Sequence, residues 1–64
     1  MLTEYEVARA AVAMVNEYGE GAEIQAAKYA DLMRGQSNRA ALQIWARIWR
    51  TIAENYPAPQ GLPH

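Results

Sequence analysis

The sequence predicts an all-α fold: one compact domain of three helices joined by tight turns, then an extended, proline-rich C-terminal tail. Three observations predict it. Apolar residues recur at steps of three and four through three successive segments. Glycines at positions 19, 21 and 35 punctuate those segments. The last eight residues, PAPQGLPH, hold three prolines and a glycine, a composition that supports neither a helix nor a central strand. The predicted domain covers residues 1–56 and the tail covers residues 57–64.

Helix 1 is predicted over about residues 3–18. Thr3 can cap it, and Glu6 three residues later completes a capping-box pattern. Glu4 and Glu6 in the first turn suit the positive end of the helix dipole. Val7, Ala11, Met14, Val15 and Tyr18 form a core-facing stripe, widened by Ala8 and Val12, with Arg9, Asn16 and Glu17 opposite. Gly19 follows as a left-handed C-cap. With Gly21 it makes a tight turn between helices. The Gly-Glu-Gly run is no phosphate loop, because no strand precedes it and no Lys-Ser/Thr pair follows.

Helix 2 is predicted over about residues 22–34. Ala22, Ala26, Tyr29, Ala30 and Met33 lie along one side, with Ala27 and Ile24 extending it. Alanine dominates this face, so the helix must sit close to its neighbours. Gly35 is the predicted C-cap, and Ser37 or Asn38 caps the next helix.

Helix 3 is predicted over about residues 38–55. It ends there because Pro57 disfavours helical geometry in the residue before it. Trp45 and Trp49 form one column, and Ile44, Ile48 and Ile52 form a second beside it. Arg39, Gln43, Arg47, Arg50 and Glu54 fall on the opposite face. With Leu42, both tryptophans, Ile48 and Ile52 are predicted core residues. The apolar face spans roughly 200°, whereas one core-facing stripe needs little more than about 100°.

Length and composition set bounds on function. Sixty-four residues make one small domain, and such a chain buries only about 60% of its unfolded surface. Its core needs help from good helix packing or association. There is no cysteine, so no disulfide supplies that help, and the lone histidine is the terminal His64. No metal or other cofactor is expected. The absence of apolar runs of about 18–20 residues predicts no membrane span. The start, MLTEYEVAR, lacks a positive n-region, so no secretory signal is read there. A cytoplasmic location is expected.

Charge is segregated along the chain. Residues 1–31 hold six acidic residues against Arg9 and Lys28, a net −4, and residues 32–64 hold four arginines against Glu54, a net +3. Acidic helices that neutralise the basic one, within the fold or across a dimer, account for this split. It also marks a candidate interaction surface.

Tyr18-Gly19, Ala26-Ala27 with Ala30-Asp31, Gly35, and then Trp45, Ile48 and Ile52 follow a recognisable order. Over roughly residues 8–54 the chain resembles a group of short, uncharacterised alphaproteobacterial proteins. Their pattern is an apolar helix, a His/Tyr-Gly turn, an Ala-rich helix with an Ala-Asp pair, a Gly-Asp turn and a Trp-containing last helix. Gln36 departs from it where the group tends to have a capping aspartate. The resemblance implies the same three-helix layout and implies no activity.

No catalytic residues are read from the sequence. Ser37 has no base close in sequence, and Glu17, Glu20 and Glu23 flank a turn as solvated carboxylates. The expected function is a non-enzymatic interaction or accessory module, self-associating as a homodimer or docking on a larger protein through helix 3. Its candidate interface is Ile44, Trp45, Ile48, Trp49, Arg39, Arg47 and Arg50. Tryptophan and arginine are enriched among binding hot spots. Because Ile44 lies at the edge of the stripe, Ile44→Glu is expected to weaken association while leaving the helicity of the monomer mostly intact. The alternative is a small DNA-binding regulator, with helices 2 and 3 imitating a helix-turn-helix and Arg39, Gln43, Arg47 and Arg50 facing the nucleic acid. The acidic balance of the chain weighs against it. An interfacial membrane helix would also carry tryptophan opposite arginine, but the same columns are what the core of so short a chain requires.

Overall fold

The computed structural model describes residues 3–56. They form α1 (Glu4–Tyr18), a single 3₁₀ turn (Gly19–Gly21), α2 (Ala22–Gly35) and α3 (Arg39–Asn55), with no strand among the described residues. The predicted tail, 57–64, lies outside the described residues.

The start of α1 is fixed by a complete capping box. The Glu6 N–H donates to Thr3 Oγ1 at 3.1 Å, and the Thr3 N–H donates to Glu6 Oε1 at 2.9 Å. Two of the amides that a helix N-terminus leaves orphaned are thereby satisfied. The bond from the Thr3 backbone, and then that from its hydroxyl, hold the Glu6 carboxyl below the usual carboxylate range.

At the other end of α1, Gly19 takes φ 58° and ψ −128°. The positive φ agrees with prediction, but the left-handed helical geometry does not. The pair of angles matches the first central residue of a type II′ turn, about +60° and −120°, a region that glycine alone enters without strain. The Ala22 N–H then reaches back to the Gly19 carbonyl, so the 3₁₀ turn runs directly into α2. A Cβ at Gly19 would meet nothing within 4 Å, so the demand for glycine is conformational and not one of space.

The second connection corrects the prediction for Gly35. That glycine is the last helical residue of α2, and the left-handed position falls two residues later, on Ser37 with φ 59°. The Asn38 N–H donates to the Met33 carbonyl at 2.9 Å and the Ser37 N–H to the Arg34 carbonyl at 3.0 Å. These are the paired bonds of a Schellman motif, with serine where glycine is usual. Asn38 closes this motif and also opens α3, because its Oδ1 accepts from the Ala41 N–H at 3.1 Å. One residue thus ends one helix and caps the next, which keeps the connection short.

α3 is the element on which the other two helices pack, and α1 and α2 share the smallest interface of the three. The first turn of α1 and the last turns of α3 line a common cleft, so α3 returns to where the chain began. The buried core is Val7 and Ala11 from α1, Ala22, Ala26 and Ala30 from α2, and Ile48 and Ile52 from α3. Alanine predominates, which lets the backbones approach closely but buries little apolar area. Ile52 is the one large side chain whose exposure falls below 2% among the described residues.

Several predicted core positions sit further out. Met14, Val15, Met33, Leu42 and Trp45 are half-buried at the rim of the core. Ala8 and Val12 are exposed and do not widen the core stripe of α1. Tyr18 and Trp49 are exposed at 37% and 43%, and neither is a core residue. The core gains Ala22 in their place, buried at the first position of α2.

Candidate interaction surface

The fate of each residue on α3 follows from its angular position. Ile48 and Ile52 occupy the centre of the buried face. At about 100° per residue, Ile44 lies on one side of that centre and Trp45 on the other. Both are half-buried against the core. Beyond Trp45 come Trp49, Leu42 and Ala46, and beyond these the exposed Arg39 and Arg50. The excess width of the apolar face therefore lies on one flank only, the flank next to α2.

Two tryptophans one turn apart meet different partners there. Trp45 is covered by Tyr29, whose ring stacks on the indole with centroids 4.6 Å apart and planes 25° from parallel. The Tyr29 hydroxyl lies 3.4 Å from that of Tyr18, so one aromatic series ties all three helices together. This hydroxyl contact raises the Tyr18 phenol above its ordinary value. Trp49 finds no aromatic neighbour on α2. It looks onto Ala27 and Ala30, which are too short to cover an indole, and it remains 43% exposed.

The result is a shallow groove of about 200 Å³ between α2 and α3. Ala27 and Ala30 form one wall, and Leu42, Ala46 and Trp49 form the other. Asp31 and Arg34 stand on its rim and pair with each other at 3.2 Å. Both side chains are more than 70% exposed, so the pair itself adds little stability. One turn before Ala27, Ile24 is 61% exposed.

Of the predicted interface residues, Trp49, Arg39 and Arg50 flank or line this side of α3. Arg47 is exposed further round. Ile48 is a correction. It is 4% exposed and belongs to the core of its own chain, because it sits at the centre of the α3 stripe. Ile44, like Trp45, is half-buried at the edge of that core. Ile44 also packs against that core, so a glutamate there would disturb the fold as well as the exposed edge. The groove walls Ala27, Ala30, Leu42 and Ala46 were not predicted as site residues. The signal for them was the helical wheel, which places Leu42 and Ala46 on the far side of Trp49 from Ile48.

The basic stripe is partly matched within the chain. Arg47 and Arg50 line the same cleft as Glu4 and Glu54. A further exposed apolar area lies on the outer side of α1. Tyr5, Ala8, Val12 and Ala13 line a shallow depression there, with Arg9 placed 5.9 Å from the Tyr5 ring centroid. Among the described residues no group of three or more His, Cys, Asp or Glu side chains is placed to hold a metal ion. No known family model matches the chain, and comparisons with curated proteins and with solved structures give no match either.

Proposed function

We propose that this chain is a non-enzymatic helical interaction module that docks on a protein surface through the α2–α3 face. The observation that carries this reading is Trp49, left 43% exposed in an apolar groove with charged residues on its rim. Apolar patches with polar rims mark interaction sites, and tryptophan and arginine dominate binding energetics. The thin, alanine-rich core supports the same reading. A domain of this size has little stability in reserve, and covering Trp49 and its neighbours would add to it. No described helix is long and apolar enough to cross a membrane, and the proposed setting is the cytoplasm, which a chain without cysteine suits.

A second reading, a small DNA-binding regulator, has one observation in its favour. Arg39, Gln43, Arg47 and Arg50 are all exposed along one side of α3. Against it, Glu4 and Glu54 share a cleft with two of those arginines. Recognition helices also read bases mainly with their N-terminal residues, whereas this stripe runs the length of α3. A salt titration of binding separates the two. Phosphate neutralisation gives an affinity that falls steeply with salt, and an apolar interface gives a shallow dependence. A steep dependence for a duplex DNA ligand, with no protein association through Trp49, would overturn the first reading.

A further inference from the structure

Resting on the association reading above, we infer that the partner of the α2–α3 face is an acidic, amphipathic protein segment, with its apolar side chains against Trp49 and its carboxylates over Arg34 and Arg39. The groove beside Trp49 does not stop at its rim. A second hollow, of about 300 Å³, continues it toward the turn between the helices. Arg34 and Leu42 are walls common to both. The stretch of α3 from Arg39 to Trp49 is about 15 Å long at 1.5 Å per residue, the length of about three turns of a partner helix.

The two hollows differ in charge. Beside Trp49 the walls are alanine and leucine, and the rim charges, Asp31 and Arg34, are of opposite sign. At the turn end the apolar lining is Met33 and Leu42, the charged walls are Arg34 and Arg39, and no acidic side chain takes part. Arg39 makes neither a hydrogen bond nor an ion pair with another described residue. Arg34 gives Asp31 a single contact through Nη1. A guanidinium has five N–H donors, so it can hold a second carboxylate as well. An indole at one end and two arginines from different helices at the other set both the sign and the direction of the occupant. A basic segment would meet like charge at the turn end, which is how complementary charge suppresses wrong partners. A polyanion such as DNA would leave the indole uncovered.

The test uses the whole chain and a displayed library of random peptides of about twelve residues, long enough for three helical turns. Enriched peptides should carry carboxylates at one end and aliphatic or aromatic side chains along the rest. Such a peptide, titrated into isotope-labelled chain, should shift the Trp49 indole N–H and the amides of Ser37, Asn38 and Arg39 together in NMR spectra. Trp49→Ala should weaken binding at least about thirty-fold, the loss typical of a hot-spot side chain. Arg39→Glu should weaken it about ten-fold, because like charges then face each other. Arg39 is exposed, and a glutamate at the start of α3 suits the helix dipole, so this variant keeps its fold. Replacing the peptide carboxylates by lysine should reverse the preference, favouring Arg39→Glu over the wild type. Neutral or basic peptides that bind in a Trp49-dependent manner overturn the acidic-partner inference and leave the association reading standing. Acidic peptides indifferent to Arg39→Glu do the same if they still need Trp49. No enrichment overturns the inference, and the association reading then survives only if a second copy or a foreign protein binds in a Trp49-dependent manner. Duplex DNA that binds in place of peptide, with an affinity falling steeply in salt, overturns both.

Discussion

The Tyr29 ring stacks on the Trp45 indole at a centroid distance of 4.6 Å, and this contact joins α2 to α3 where alanine supplies almost everything else. A near-parallel aromatic pair contributes beyond its buried area, by about 0.5–1.5 kcal/mol. A double-mutant cycle with Tyr29→Leu and Trp45→Leu, measured by denaturant unfolding, should return a coupling in that range. Trp45→Ala alone should cost about 3 kcal/mol, the lower end for aromatic truncations because the ring is only half-buried. A coupling near zero would mean that the two rings are neighbours and nothing more.

Ser37 supplies the second prediction. At φ 59° it bears the strain that a side chain meets in the left-handed region, about 1–2 kcal/mol per residue. Ser37→Gly relieves it and adds back about 0.4–1 kcal/mol of chain entropy to be lost on folding. The net result should be a stabilisation of about 0.5–1 kcal/mol, read as a higher urea midpoint with an unchanged slope. Asn38→Ala should go the other way by about 1 kcal/mol, because the Ala41 amide loses its cap.

Glu6 gives the chain an acid-sensitive start. Its folded-state pKa lies below the ordinary carboxylate value because the Thr3 amide and hydroxyl bind the ionised form. A lowered pKa contributes stability above the unfolded value, and that contribution is lost as pH falls through the folded one. Thermal melts of the wild type should therefore decline from neutral pH into the acid range. Glu6→Gln should flatten the part of that decline that belongs to this residue. Identical pH profiles for the two proteins would show that the capping box does not persist in solution.

Much of this fold was legible in the sequence because its helix ends are written in local chemistry. Thr3 with Glu6, Gly19, Asn38 and Pro57 each act over a few residues, and the three segments end within a residue of where the periodicity placed them. Gly35 misled because two residues in the same turn could take the left-handed position, and the chain keeps Gly35 helical and places that position two residues later, on Ser37. The division of labour between the tryptophans was not legible at all. Trp45 and Trp49 stand in one column, and only the identity of the facing residue separates them. Tyr29 covers the first, and Ala27 and Ala30 leave the second open. That pairing depends on the register of α2 against α3, which no local pattern encodes. Ile48 was drawn into the predicted interface for the same reason, since a stripe's width is visible in sequence but not which edge is covered.

The central claim is that Trp49 and the groove beside it form a protein-binding surface. It is tested most directly by sedimentation equilibrium of wild type and Trp49→Glu, each with the acidic peptide at low and at high salt. The account predicts a complex for the wild type that changes little with salt. It predicts a helical Trp49→Glu monomer at the same concentration. A wild type and variant that sediment alike, with no Trp49-dependent protein complex at either salt, would contradict it.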